Sequence, residues 1–126
     1  MRRVLPVLLL FLTAAVARAE LPSASDAAID QARVSGKPAV VDLGARYCIP
    51  CKKMAPILES LATEYRGKAS VLFVDVNENQ SAPKRFRVQM IPTQIFFDAR
   101  GKEVKRHMGF MDKAEIVKEL NALGVR

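Results

Sequence analysis

The chain of 126 residues contains no tryptophan, one histidine and two cysteines. A structural zinc site takes about four ligands, and Cys48, Cys51 and His107 supply too few. Covalent haem attachment needs a histidine directly after the second cysteine, where Lys52 stands. Beyond the first residues no stretch approaches about 18 apolar residues, which excludes a later transmembrane helix. Repeats, low-complexity tracts and long linkers are also missing. Basic residues outnumber acidic ones, 20 to 13, but they are scattered among the acids with no stripe interleaved with aromatics. A solvated surface is expected, and nucleic-acid binding is not. His107 with Met90, Met108 and Met111 offers the ligand types that suit copper. Methionine more often fills cores and grooves, so His107 is read as an exposed or edge-strand residue and no metal is expected.

The one long apolar run is at the start. Arg2 and Arg3 form a short positive region, Val4 to Val16 is almost wholly apolar, and Ala17-Arg18-Ala19 has the small-x-small form of a signal-peptidase site. Residues 1–19 are therefore expected to be a cleaved signal peptide for the general secretory route, with an uncleaved anchor as the alternative. Cleavage would leave 107 residues, 20–126, with the formal charge lowered from +7 to +4. That length fits a single domain with a modest core.

Apolar periodicity lays out the elements. Ser23-Ala24-Ser25-Asp26 resembles a helix start, and the helix runs to a stop at Ser35-Gly36. Residues 38–44 read as a buried strand, 50–66 as a helix with Met54, Ile57, Leu58, Leu61 and Tyr65 on one face, and 71–76 as a second buried strand. Two buried strands with a helix between them make a right-handed βαβ unit. A short helix over 82–86 follows, then strands at 93–98 and 103–108 that return antiparallel through the turn Asp98-Ala99-Arg100-Gly101. Asp112 and Glu115 form a capping-box pattern for a last helix, with Met111 and Ile116 as its hydrophobic staple and Ile116, Val117, Leu120 and Leu123 as its buried face.

The two cysteines fall in Cys48-Ile49-Pro50-Cys51, where the first strand hands over to a helix. Cysteines three apart at a helix start share a face. The first sits near unpaired backbone N–H groups and the positive end of the helix dipole, with Arg46, Lys52 and Lys53 close in sequence, and this favours its thiolate. A purely structural disulfide is the competing reading. Closing a loop of about four residues stabilises a fold by roughly 2 kcal/mol, against nearly 5 for a 100-residue loop, so a staple is poorly placed here and redox chemistry is the better expectation.

Val41-Asp42, the Cys48-Ile49-Pro50-Cys51-Lys52 motif with Pro56 beyond it, Ile91-Pro92-Thr93 and Gly109 together resemble the thioredoxin superfamily, over about Lys37 to Leu123. The resemblance implies a thioredoxin fold of the α/β class, a central mixed four- to five-stranded sheet flanked by helices. It implies that Cys48 attacks a substrate disulfide and Cys51 resolves the mixed disulfide. Asp42, in the middle of an apolar strand, matches the family's buried acid and would exchange a proton with Cys51; a wet strand face is the other reading. Many relatives pair that acid with a lysine, but the matching position here is Phe73. Pro92 matches the family's cis proline, against an ordinary trans proline at a strand start. A cis bond would turn the Ile91 backbone toward a substrate peptide. Tyr47 stands where the family usually has tryptophan, and Tyr47, Ile49, Ile91, Thr93 and Gly109 are expected to line the substrate groove; Gly109 also fits a plain turn residue.

The expected function is that of a periplasmic, monomeric thiol:disulfide reductase acting on disulfide-containing exported proteins. Its redox-active disulfide would stand in place of a cofactor, and a membrane-embedded donor would re-reduce it. The Ile-Pro dipeptide lacks the histidine that strongly oxidising relatives carry between their cysteines. An oxidase or isomerase with the same site, and a peptide-binding module with an inert disulfide, are the alternatives.

Overall fold

The computed structural model describes residues 20–126; the expected signal peptide lies outside the described residues. Strands buried on both faces need helices on both sides, and two strands meet that condition throughout. They are β1 (Ala39–Gly44) and β3 (Thr93–Phe97). β2 (Ser70–Asp75) is buried over its C-terminal half, whereas β4 (Glu103–Met108) is largely exposed and carries the charges of an edge strand. The order across the sheet is β2-β1-β3-β4. β1 runs parallel to β2 and antiparallel to β3, and β3 is antiparallel to β4. Beyond β2 the chain adds one bridge, Ser23 to Phe73, so the sheet has four strands and a fragment of a fifth.

Alternate residues of the strands feed two separate cores. α1 (Asp26–Arg33) and α3 (Ser81–Arg85) cover one face, where Ile29 and Ala82 meet Val41, Leu43, Val74, Ile95 and Phe97. α2 (Ile49–Glu64) and α4 (Lys113–Ala122) cover the other, where Met54, Leu58, Leu61, Ile116 and Leu120 meet Val40, Phe73 and Phe96. The helix ends are chemically marked. Ser25 caps α1 by accepting from the Ala28 amide. Asp112 Oδ1 accepts from the Glu115 amide at 2.8 Å while Glu115 Oε2 accepts from the Asp112 amide, the expected capping box. Met111 and Ile116 are both buried in the α2/α4 core. α2 ends two residues before its expected limit, because Tyr65 is already the C-cap and Gly67, at φ +80°, turns the chain toward β2.

Candidate active site

The C-terminal end of β1 and the N-terminal end of α2 meet in one tight turn. The Cys48 amide donates to the Ala45 carbonyl, and the Arg46 amide donates to Asp75 Oδ2 at the end of β2, which fixes the turn to the sheet. Cys48 is the N-cap of α2 with extended backbone angles, and its side chain makes no capping bond. With Pro50 in the first turn and no acid there, the unpaired amides are left to stabilise negative charge on the Cys48 sulfur. Arg46, expected to help stabilise that charge, is engaged elsewhere. Its guanidinium bonds Glu20 at 2.9 Å and the Leu21 carbonyl, and lies over the Phe73 ring. Lys52 and Lys53 point into solvent.

Cys48 and Cys51 form a disulfide with their Cα atoms 5.1 Å apart. The two sulfurs sit in different surroundings: Cys48 is half-buried, while Cys51 is 5 % exposed. Gly44 makes room for the inner one, since a Cβ there would stand 3.2 Å from Cys51 Sγ and 3.4 Å from the Phe73 ring. Cys51 thus rests on the β1/β2 surface at the place where β1 lacks a side chain.

One same-face position further into β1 stands Asp42, fully buried. The wet-face reading is excluded. Burial pushes its carboxyl up to about 7, and the Gln94 hydrogen bond pulls in the opposite direction. Asp42 pairs in register with Phe73 on one side and Gln94 on the other, so no cation stands beside it in the sheet. Gln94 Nε2 donates to Asp42 Oδ1 at 2.9 Å and to the Gly109 carbonyl at 3.1 Å, and Gln94 Oε1 faces His107 Nδ1 at 2.8 Å. Asp42 Oδ2 is the one buried side-chain oxygen or nitrogen among the described residues that has no partner.

The strand register brings the remaining site residues to this end of the sheet. Leu43 pairs with Thr93 and Thr93 with Met108, and the Gly109 amide donates to the Pro92 carbonyl at 2.7 Å. The Ile91-Pro92 bond is cis, which removes the trans alternative. Tyr47 and Ile49, the two sequence neighbours of Cys48, are exposed at 69 % and 71 % and make an apolar rim beside the disulfide; Met90, Met108 and Phe110 are also exposed. Ile91 is half-buried beside them. Thr93, expected in the groove, is placed differently. It is buried between two strands and its hydroxyl donates to the Met90 carbonyl at 2.7 Å, so it fastens the loop that carries Met90 and Ile91. Gly109 is a turn residue at φ +96° that also serves the site, since its carbonyl holds Gln94. Of the methionines named with His107, Met111 is buried and its amide meets Met54 Sδ, while Met90 and Met108 are exposed.

Gln94 and His107 were not expected at the site. The available signal was a lone amide inside the apolar strand Thr93-Gln94-Ile95-Phe96-Phe97, on the same alternation as Phe96.

The thioredoxin family model matches residues 22–122. A thioredoxin of Staphylococcus aureus is 43% identical over 82 residues, which covers 65% of this chain and 78% of that protein. A bifunctional thioredoxin reductase/thioredoxin of Mycobacterium leprae is 41% identical over 87 residues, 69% of this chain; the chain spans only 19% of that longer relative. Among solved structures, chloroplastic thioredoxin z superposes with a TM-score of 0.71 at 28% identity, covering 84% of this chain and 96% of its own. Fasciola hepatica thioredoxin superposes with a TM-score of 0.67 at 30% identity, covering 78% and 93% respectively.

Proposed function

This chain belongs to the thioredoxin family and is a thioredoxin-like disulfide oxidoreductase; from that premise we propose that it works as a reductase of disulfides in exported proteins, in the periplasm. The observation that carries the reading is the asymmetry within the Cys48–Cys51 disulfide. One sulfur sits half-buried at a helix N-terminus inside an apolar rim, and the other is buried over Gly44 with Asp42 beneath it.

The chemistry follows from that asymmetry. In the reduced protein the Cys48 thiolate attacks a substrate disulfide, forms a mixed disulfide and releases the first substrate thiolate. Cys51 gives its proton to the Asp42 carboxylate, and its sulfur attacks Cys48 Sγ. The Cys48–Cys51 bond forms, the Cys48–substrate bond breaks, and the electron pair leaves on the second substrate sulfur, which takes a proton from solvent. Two electrons have passed to the substrate, and a membrane-embedded donor restores the dithiol. Tyr47, Ile49, Met90, Met108 and Phe110 supply an apolar landing surface, and the backbone of Ile91 offers main-chain hydrogen bonds to an extended peptide. Such recognition reads shape more than sequence, which suits a range of oxidised proteins. The apolar leader over residues 4–16 supports the compartment, and the Ile49-Pro50 dipeptide supports the reducing direction.

Equilibrating the full chain with glutathione or dithiothreitol buffers tests the direction of electron flow. A reduction potential near about −270 mV is expected of a reductant, and one near about −120 mV would make the protein an oxidant. A Cys51→Ser variant is expected to accumulate mixed disulfides through Cys48; none would accumulate on an inert peptide-binding module.

A further inference from the structure

The Asp42 carboxylate is buried without an ion partner, and something must hold it in one orientation. Phe73 faces it from β2 and Gln94 from β3, while Cys51 of α2 sits over Gly44, the next same-face position of β1. None of these brings a charge. From β4 the one titratable group in reach is His107, through Gln94, and Lys105 two residues earlier is engaged by Glu119 of α4. Lys52 and Lys53 of α2 are exposed.

Hydrogen-bond valence then fixes the network from its outer end inward. The Gly109 carbonyl is only an acceptor, so the Gln94 atom 3.1 Å from it is the amide nitrogen. The other end of the amide, Oε1, is likewise only an acceptor, so His107 Nδ1 at 2.8 Å carries a hydrogen and donates it. The second Gln94 N–H is left for Asp42 Oδ1 at 2.9 Å. Oδ1 is therefore engaged by an obligate donor whether Asp42 is charged or neutral, and a proton arriving at this carboxylate is taken by Oδ2, the unpartnered atom.

We propose that Gln94, clamped by His107 and Gly109, is the positioning residue of the resolving step: it holds Asp42 so that the Cys51 proton is taken and returned at Oδ2 alone. The role rests on the reading of Cys51 as the resolving thiol. It differs from a structural amide because it acts on the proton acceptor itself. A hydrogen bond to the carboxylate stabilises the charged form more than the neutral one, so the clamp also sets how readily Asp42 becomes a base.

The test reads Asp42 directly, by carboxyl-carbon NMR titration of the full chain labelled at aspartate. It also follows the pH profile of ring closure after the reduced protein meets an aromatic disulfide, from release of the second aromatic thiol. Gln94→Met keeps the volume and removes all three side-chain hydrogen bonds; the Asp42 midpoint is expected to rise by about 1 pH unit or more, the closure profile moving with it. His107→Phe, at a half-buried edge position, is expected to move both in the same direction by less, and carries the test alone should Gln94→Met fail to fold. An Asp42 midpoint unmoved in the folded variants overturns the proposal. So does a midpoint that moves while the closure profile stays, for then the clamp is structural only. Failure of the dithiol reading is separate: the unaltered protein would release no second thiol, although its Asp42 would still titrate.

Discussion

The two faces of one sheet are built from the same strands and behave as different materials. Under α1 and α3 the inward strand residues are hydrocarbon, Val41, Leu43, Val74, Ile95 and Phe97 among them, apart from Thr93 at the strand end, whose hydroxyl is satisfied by the Met90 carbonyl. Under α2 and α4 the alternate positions carry Val40, Phe73 and Phe96, and also Asp42 and Gln94, both fully buried. A buried carboxyl and a buried amide cost free energy that hydrocarbon in their place would not. The comparison teaches that stability and chemistry are divided by residue parity: odd-numbered positions of β1 and β3 build a dry core, and even-numbered ones hold the proton-handling groups below the disulfide.

The largest effect expected is on function from the α2 side. Cys48→Ala should bring disulfide reduction to background while removing only the small stabilisation of a four-residue loop, about 2 kcal/mol. Turnover measured with a protein disulfide, beside a urea melt of the same sample, checks both halves. Retained turnover would move the nucleophile elsewhere and break the division between faces.

Phe97→Ala is the converse experiment. Phe97 is buried on the dry face, edge-to-face with Phe86 at 5.9 Å and under the Arg33 guanidinium at 4.9 Å. Truncation should cost about 3–5 kcal/mol, a large part of the 5–15 kcal/mol that typically holds a domain together. In the folded fraction the Asp42 titration midpoint should stay where it is. A displaced midpoint would mean that the faces are mechanically coupled through the strands.

Asp42→Asn removes the main polar cost of the other face, and pH gives the sign. Below about pH 4 the native and unfolded states both hold the Asp42 proton, and its burial as an acid carries no titration cost. Between about 4 and 7 the unfolded chain ionises while the native one keeps its proton, so stability falls as pH rises. Above about 7 both are ionised and the loss levels off. The full loss is about 4 kcal/mol. Asparagine escapes it but leaves an amide where Oδ2 has no partner, costing back about 1–3 kcal/mol. The variant is thus expected to be the more stable protein at pH 8 by about 1–3 kcal/mol, to lose that advantage toward pH 4, and to close its mixed disulfide more slowly. Urea midpoints at the two pH values decide it; parallel shifts at both would show that Asp42 titrates in the fold as it does in the unfolded chain, its carboxyl not raised by burial.

What was legible in the sequence follows the same division. The runs 39–43 and 71–76 are apolar at every alternation, and only strands covered on both sides read that way, so the sheet and its helices could be placed from local pattern. The cysteine pair was legible because its spacing and its position at a helix start are local. Asp42 was suspect because an acid interrupts such a run. Gln94 was not found, since its meaning depends on β1 and β3 pairing 52 residues apart in a register that puts it opposite Asp42. His107 was read correctly as an edge-strand residue, but its bond to Gln94, 13 residues away on β3, was not legible for the same reason. Thr93 was assigned to the groove through its neighbour Pro92, although a residue paired on both sides inside a sheet has little surface left to offer.

The smallest effect is the one that separates backbone strain from site geometry. Gly36 and Gly109 sit at opposite ends of the sheet with φ of +78° and +96°, and a Cβ at either would meet nothing within 4 Å. Alanine at each should cost a similar amount, about 1–2 kcal/mol, because only the left-handed backbone objects. The two glycines differ in what their carbonyls hold. The Gly109 carbonyl orients the Gln94 amide, and through it Asp42 Oδ1. Any backbone relaxation that eases the strain of Gly109→Ala turns that acceptor, so this variant should move the Asp42 midpoint upward while Gly36→Ala leaves it fixed at equal loss of stability. Equal melts with unequal titrations would place Gly109 in the proton-handling face; equal titrations would leave it a turn residue and confine the chemistry to side chains.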